Sequence, residues 1–190
     1  NSFDGHDFIK NAIERGAIAI VCEKFPDEIF DNISYIRVKS SRIFLSKVCK
    51  NFYFDPSKKF KLIGVTGTCG KTSTCTFLYQ IFKNLGYKTA LISSIKNIIE
   101  EKVFDTELTT PDTIDLYNLF EKMVEKKVEY CFMEVSSHSI DQYRVFGLDF
   151  DIAIFTNLSQ DHLDYHKDML SYSFAKKKFF DDLKKEAIVL

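Results

Sequence analysis

The stretch GVTGTCGKTS, residues 64–73, decides how this chain is read. An apolar run, FKLIGV (60–65), leads into it and an amphipathic run follows, so it reads as a strand, a tight turn and a helix. Gly67 and Gly70 free the backbone to curl until its amides point inward at an anion. Lys71 can then reach the outer phosphates of a nucleoside triphosphate, and the Thr72 hydroxyl can hold Mg²⁺. The positive end of the following helix adds to the attraction. The match to the standard phosphate-loop spacing is imperfect, because Val65 stands where a glycine is expected. The competing reading is an ordinary strand-turn-helix junction.

Outward from this loop, strand-sized and helix-sized segments alternate. On the N-terminal side, HDFIKNAIERG reads as a helix capped by Gly16, AIAIVCE as a buried strand, YIRVKS as a second strand, and SRIFLSKVCKNFY as a helix with a serine cap. DPSKK, with its proline and charges, is the expected domain boundary, giving regions 1–55 and 56–190. On the C-terminal side, KTALISS, EYCFMEVS and FDIAIFTN read as strands, and IKNIIEEKVFD as a hairpin or irregular excursion. Helices are expected after the loop, over PDTIDLYNLFEKMVEKK with Pro111 in its first turn, and over DMLSYSFAKKKFFDDLKK. The expected fold class is α/β: the end of a small α/β first domain, then a truncated, mainly parallel-sheet domain covered on both faces. Four polar clusters, TGTCGKTS, SSIKN, EVSSHS and TNLSQDHLDYH, follow four apolar strands. In parallel sheets ligands collect at the carboxyl ends of the strands, so these clusters are expected to form one site.

Composition narrows the function classes. With 190 residues, 45% hydrophobic and 28% charged, the chain can build a real core. A net charge of −1 points to neither a nucleic acid nor a membrane as partner. No apolar run reaches the length of a membrane-spanning helix. Five cysteines without a CxxC pair read as reduced thiols of a cytoplasmic protein. The first residue is Asn rather than Met and the last residues, AIVL, are an apolar run, so the chain reads as a fragment.

Three further stretches carry chemistry. Glu134 ends a buried strand, where a carboxylate is costly unless it is paired, holds a metal or reaches solvent. A Mg²⁺ bridging nucleotide phosphates would justify it. In DHLDYH, His162 and His166 lie four residues apart; they could share a zinc ion, sit in a polar loop, or place one ring beside a phosphate-bound Mg²⁺. In YSFAKKKFF, Lys176 falls on the same helical side as Tyr172 and Phe180. Periodicity alone favours a lysine that snorkels to the surface there, with Lys177 and Lys178 facing solvent.

GVTGTCGKTSTC, LTTPDT, FMEVSSHSIDQYRV and FTNLSQDHLDYHKDMLSYSFAKKKFF together resemble the Mur ligases, most of all the MurE-type members. The resemblance runs over essentially the whole chain. The first region would be the end of a uridine-nucleotide-binding domain and the second the start of an ATP-binding central domain. It implies a ligase with ATP and Mg²⁺ as cofactors and UDP-N-acetylmuramoyl-dipeptide and an amino acid as substrates. ATP would phosphorylate the dipeptide's terminal carboxylate, and the amino acid's amine would attack the acyl phosphate. The other readings are a nucleotide-binding fragment inactive by itself and a related ligase such as folylpolyglutamate synthetase.

The resemblance also assigns residues. Gly67, Thr68, Cys69, Gly70, Lys71, Thr72 and Ser73 correspond to the ATP loop, with Cys69 where the family usually has Asn and Ser73 where it has Thr. Asn157 falls on the nucleotide side as well. Thr109, Thr110, Ser136, Gln142 and Arg144 correspond to substrate contacts, although Leu108 stands where some members have a polar Asn contact. Thr72, Glu134 and His162 correspond to Mg²⁺ ligands. Lys176 corresponds to a lysine that becomes a carbamate, an anion able to help hold a second Mg²⁺. Lys71, His162 and Lys176 would be the catalytic set.

Overall fold

A computed structural model describes residues 4–190. The chain divides into two compact units, Asn1–Leu45 and Ser46–Leu190. In the first, α1 (Ile9–Glu14) is followed by Gly16 at φ +95°, and β1 (Ala19–Cys22) pairs in parallel with β2 (Ser34–Arg37). Ile20, Cys22 and Ile33 form its small core, with Ile9, Ala12 and Ile13 packed against them. Only alternate residues of β1 are buried, because the two-stranded sheet is covered on one side.

Helix α2 (Ser41–Phe52) spans the division between the units. Ser40 supplies the capping hydroxyl, accepting from the Ile43 amide at 3.3 Å. In the second unit, β3 (Lys61–Thr66) leads into α3 (Lys71–Asn84) and β4 (Thr89–Ile92). The excursion is an antiparallel hairpin of β5 (Asn97–Ile99) and β6 (Lys102–Phe104), whose β5 also pairs antiparallel with β4. Then come α4 (Thr113–Glu125), β7 (Tyr130–Glu134), α5 (Ser137–Asp141), β8 (Ile152–Phe155), α6 (Leu163–His166), α7 (Met169–Asp181) and β9 (Ile188–Val189). Pro111 is not in the first turn of α4: Asp112 is the N-cap, in extended conformation, so the proline ends the incoming loop.

The strands form one seven-stranded sheet in the order β6-β5-β4-β7-β3-β8-β9, parallel from β4 to β9. Its two faces follow from the period-two alternation of a strand. Leu62, Ala90, Ile92, Cys131, Met133 and Ala153 pack with Leu116, Phe120 and Met123 of α4 and Phe179 of α7. Ile63, Val65, Leu91 and Phe132 face the other way, onto Cys75 and Tyr79 of α3. Covered on both faces, these strands are apolar between their ends, which is why they read as hydrophobic runs. β3 lies between β7 and β8, so three strands deliver their carboxyl ends side by side.

Gly64 shows how tightly this sheet is packed. A Cβ there would lie 2.7 Å from both Phe150 and Phe179, whose rings meet edge to face at 4.9 Å. We predict that Gly64→Ala costs about 1–3 kcal/mol, the scale of overpacking a close-packed core. Urea unfolding should show the midpoint falling without a change in slope. An unchanged midpoint would mean that the two rings give way freely.

Candidate functional site

The loop 67–70 is fastened to the end of β8. Gly67 adopts φ +146°, and a Cβ on it would lie 2.0 Å from Thr156 Oγ1 and 3.0 Å from the Asn157 backbone. The Thr68 amide donates to the Asn157 carbonyl (2.9 Å) and the Cys69 amide to Asn157 Oδ1 (3.0 Å). Thr156 Oγ1 (2.7 Å) and Asn157 Nδ2 (3.1 Å) both donate to the Cys69 carbonyl. Cys69 is therefore held through its backbone, and its side chain is exposed. Val65 departs from the standard spacing because position 65 is still strand, paired with Glu134 and fully buried. Gly70 is the N-cap of α3 at φ +86°, a conformation that a side chain would strain.

Two amines converge on this loop. Lys71 Nζ donates to the carbonyls of Gly67 (3.0 Å) and Thr68 (2.8 Å). Lys176 Nζ donates to the same Gly67 carbonyl at 2.8 Å and lies 4.6 Å from the centre of the Tyr172 ring. Lys176 is only 3% exposed, so the surface position favoured by its spacing is corrected: α7 turns it into the loop. Burial, and then the Lys71 charge, push its amine down to about 8. Lys177 faces solvent and pairs with Asp181, but Lys178 is half-buried, 3.4 Å from the centre of the Tyr143 ring.

Glu134 is completely buried, which rules out the solvent-reaching reading of this carboxylate. No ion-pair partner faces it among the described residues. Ser94 satisfies it, with the amide on Oε1 (2.8 Å) and the hydroxyl on Oε2 (3.1 Å). The Ser94 hydroxyl also lies 3.2 Å from Thr109 Oγ1. Thr110 Oγ1 donates to the Glu134 carbonyl (2.8 Å) and accepts from the Ser136 amide (3.1 Å). Arg144 Nη1 donates to the Thr110 carbonyl (2.9 Å), while Gln142 Oε1 accepts from Nε (3.0 Å) and Nη2 (2.6 Å). Gln142 thus braces the guanidinium rather than lining the cavity.

The histidines divide their roles. His166 is buried with Nε2 2.9 Å from Ser137 Oγ, whereas His162, the left-handed N-cap of α6, borders the cavity. His138 packs against Tyr165 (4.2 Å between ring centres) and His162 (4.8 Å). Burial, with His162 and His166 alongside, holds His138 below the usual imidazole range.

A cavity of about 390 Å³ joins these parts. Thr68, Gly70, Lys71, Thr72, Thr109, Thr110, Glu134, Ser136, Arg144, His162 and Lys176 all line it, as sequence reasoning expected of one site. Gly67 and Cys69 belong to the loop but, with Asn157, fasten it to the segment after β8 rather than lining the cavity, and Ser73 is exposed on the first turn of α3. Sequence reasoning did not single out Ser94, Ser137 or His138, which also line the cavity, or the buried Tyr172 beneath Lys176. Ser94 and His138 do stand in polar clusters after strands, the one available signal. A larger hollow of about 780 Å³ opens at the amino ends of the strands, but its charges are spent on pairs such as Lys184–Asp149 and Lys61–Asp151. No group of three or more His, Cys, Asp or Glu gathers at metal-binding distance among the described residues. A buried carboxylate and a threonine hydroxyl beside an anion-binding loop fit instead a hard cation bound mainly by phosphate and water. The arrangement can therefore hold a polyphosphate at one end and orient an anionic acceptor by Arg144 at the other.

Comparison with known proteins agrees with this geometry. A UDP-N-acetylmuramoyl-L-alanyl-D-glutamate–2,6-diaminopimelate ligase of Phocaeicola vulgatus is 49% identical over 187 residues, 98% of this chain and 39% of that protein. A solved structure of a ligase of the same name, 28% identical, superposes with a TM-score of 0.81 over 94% of this chain and 36% of its own. The MurF ligase of Thermotoga maritima, solved in complex with ADP, is 25% identical with a TM-score of 0.58, covering 98% of this chain and 39% of its own. The chain thus spans about two fifths of the length of the relatives it matches. The family described as Mur ligase middle domain matches residues 65–190, and with the phosphate loop, Glu134, Arg144 and Lys176 inside that match, the chain belongs to the Mur ligase family.

Proposed function

We propose that this chain is the ATP-holding part of a cytoplasmic ligase of peptidoglycan precursor synthesis. The ligase adds 2,6-diaminopimelate to UDP-N-acetylmuramoyl-L-alanyl-D-glutamate. The observation that carries the reading is the convergence of Lys71, Glu134, Arg144 and Lys176 on one cavity at the carboxyl ends of a parallel sheet. The names of the similar ligases supply the substrates. ATP is supported by the loop and by the ADP complex of a relative. Five free thiols fit the cytoplasmic setting.

In this reading residues 1–55 end the uridine-nucleotide domain and residues 56–190 begin the central one. ATP with Mg²⁺ supplies the phosphoryl group that activates the dipeptide's terminal carboxylate for attack by an amine. The chain's own part is positioning and charge. With the Thr68 and Cys69 amides held by Asn157, Gly70 and the first turn of α3 present amides to phosphate oxygens. Lys71 exchanges the carbonyls of Gly67 and Thr68 for the transferring phosphoryl oxygens, where its charge counts most. Glu134, fixed by Ser94, would hold Mg²⁺ together with Thr72 and His162. Thr109 and Ser136 present hydroxyls to the acceptor, Thr110 seats Arg144 through its carbonyl, and Arg144, braced also by Gln142, binds the acceptor's carboxylate or phosphate. Lys176, whose amine is partly neutral near pH 8, takes up CO₂ and becomes a carbamate.

In the full-length protein, Lys71→Ala should reduce turnover by a factor of ~10³ or more, the scale of removing a principal charge stabiliser. Arg144→Ala should instead raise the acceptor's KM and leave that of ATP nearly unchanged. Near-normal turnover in the first variant, or a selective ATP defect in the second, would refute the assignment of the two ends.

Lys176→Ala should be nearly inactive, a loss of several kcal/mol of transition-state stabilisation. Acetate or another short carboxylic acid should restore part of the rate. Lys177→Ala should resemble wild type, since Lys177 is exposed. Carbamate formation needs the neutral amine, so at fixed dissolved CO₂ the activation should grow as pH rises through about 8 and then level off. Activity indifferent to bicarbonate depletion would return Lys176 to a structural role.

A further inference from the structure

We propose that Tyr172 is a positioning residue for nucleotide binding: through Thr68 it fixes the phosphate loop to the helix that carries Lys176. The proposal rests on the phosphate-loop reading above and adds a residue to it. Tyr172 is completely buried on α7, and its phenol oxygen lies 3.1 Å from Thr68 Oγ1. The same threonine oxygen lies 3.1 Å from the Ser159 carbonyl and 3.0 Å from the Ser159 amide.

The direction of these bonds follows from what a hydroxyl can do. It has one proton to give and two lone pairs to fill. The Ser159 carbonyl can only accept, so Thr68 spends its proton there. The Ser159 amide can only donate, so it fills one lone pair. The remaining lone pair is left for Tyr172, which is therefore the donor. The three bonds use the full capacity of Thr68 and tie together the phosphate loop, the segment after β8 and α7.

The same phenol ring also carries Lys176, whose amine sits over it and donates to Gly67, the residue before Thr68. One side chain thus sets the height of the loop, through its hydroxyl, and the seat of the lysine, through its face. A buried phenol hydroxyl ordinarily finds a partner to escape desolvation. Here that partner belongs to the loop that leads into Gly70 and the first turn of α3, whose amides face the phosphate position. Small displacements of such a loop are felt strongly in binding and rate.

The test uses the full-length protein, with ATP and acceptor turnover as readout. Tyr172→Phe keeps the ring and removes the donor. It should raise the KM for ATP about tenfold, the scale of one lost buried hydrogen bond, and leave the acceptor's KM within about twofold. Thr68→Val should be at least as severe for ATP, and the double variant should match Thr68→Val alone, because both remove the same bond. Thr68→Ser keeps the hydroxyl and should raise the ATP KM clearly less than Thr68→Val does. An unchanged ATP KM in Tyr172→Phe would overturn the proposal. So would additive effects in the double variant, or equal rises in both KM values with a lowered melting temperature. Lys71→Ala run alongside separates the two levels. If it lost turnover while Tyr172→Phe did not respond, the role of Tyr172 alone would fall; if it kept turnover, the loop reading itself would fall.

Discussion

No side chain fits at Gly67. A Cβ there would lie inside the contact distance of Thr156 Oγ1, so the loop after β3 can press directly onto the segment after β8. The rest of the site depends on that approach. It lets Asn157 take the amides of Thr68 and Cys69 through its carbonyl and its side chain. It also turns the Gly67 carbonyl toward the cavity, where Lys71 and Lys176 both donate to it. A carbonyl has two lone pairs, so one acceptor can hold both amines. Two cations so placed repel each other, and that repulsion, after burial, is what brings Lys176 within reach of neutrality near pH 8.

From this constraint the cavity acquires a division of charge. Cations stand at the loop end and at Arg144, and a single buried carboxylate, Glu134, lies between them on two hydrogen bonds from Ser94. Leaving a carboxylate buried without a cationic partner is costly, and such cost is tolerated where the group has a task. On the proposed reading that task is to hold Mg²⁺ against the phosphates. Conversion of Lys176 to an anion would then relieve its repulsion with Lys71 and add a second negative group for metal. Ser94 links the two ends, because its hydroxyl contacts both Glu134 and Thr109.

Much of this was legible before any coordinates. β3, β4 and β7 are buried on both faces and β8 partly so, and they appear as apolar runs that no helix of the chain imitates. The polar clusters that follow them marked the site edge, with the loop and Glu134 in them, while Arg144 lies outside them and was assigned through the resemblance to the Mur ligases. Lys176 was misjudged by spacing alone, because periodicity reports which side of a helix a residue occupies but not what that side faces. Pro111 was placed one element too far along, since the extended Asp112 separates it from α4. Ser94 stands in the SSIKN cluster and Tyr172 in YSFAKKKFF, but neither was given a role of its own there. Their importance lies in partners 40 and 104 residues away, pairings that only the fold creates.

The central claim is that this cavity transfers a phosphoryl group from ATP to the carboxylate of the bound dipeptide. The most direct measurement labels that carboxylate with ¹⁸O and follows the label through one round of amide formation by the full-length protein. An acyl phosphate passes one carboxylate oxygen to the phosphate when the amine displaces it. The account predicts one ¹⁸O in each inorganic phosphate released, read by ³¹P NMR or mass spectrometry. Inorganic phosphate free of label, with amide formed at the normal rate, would contradict it.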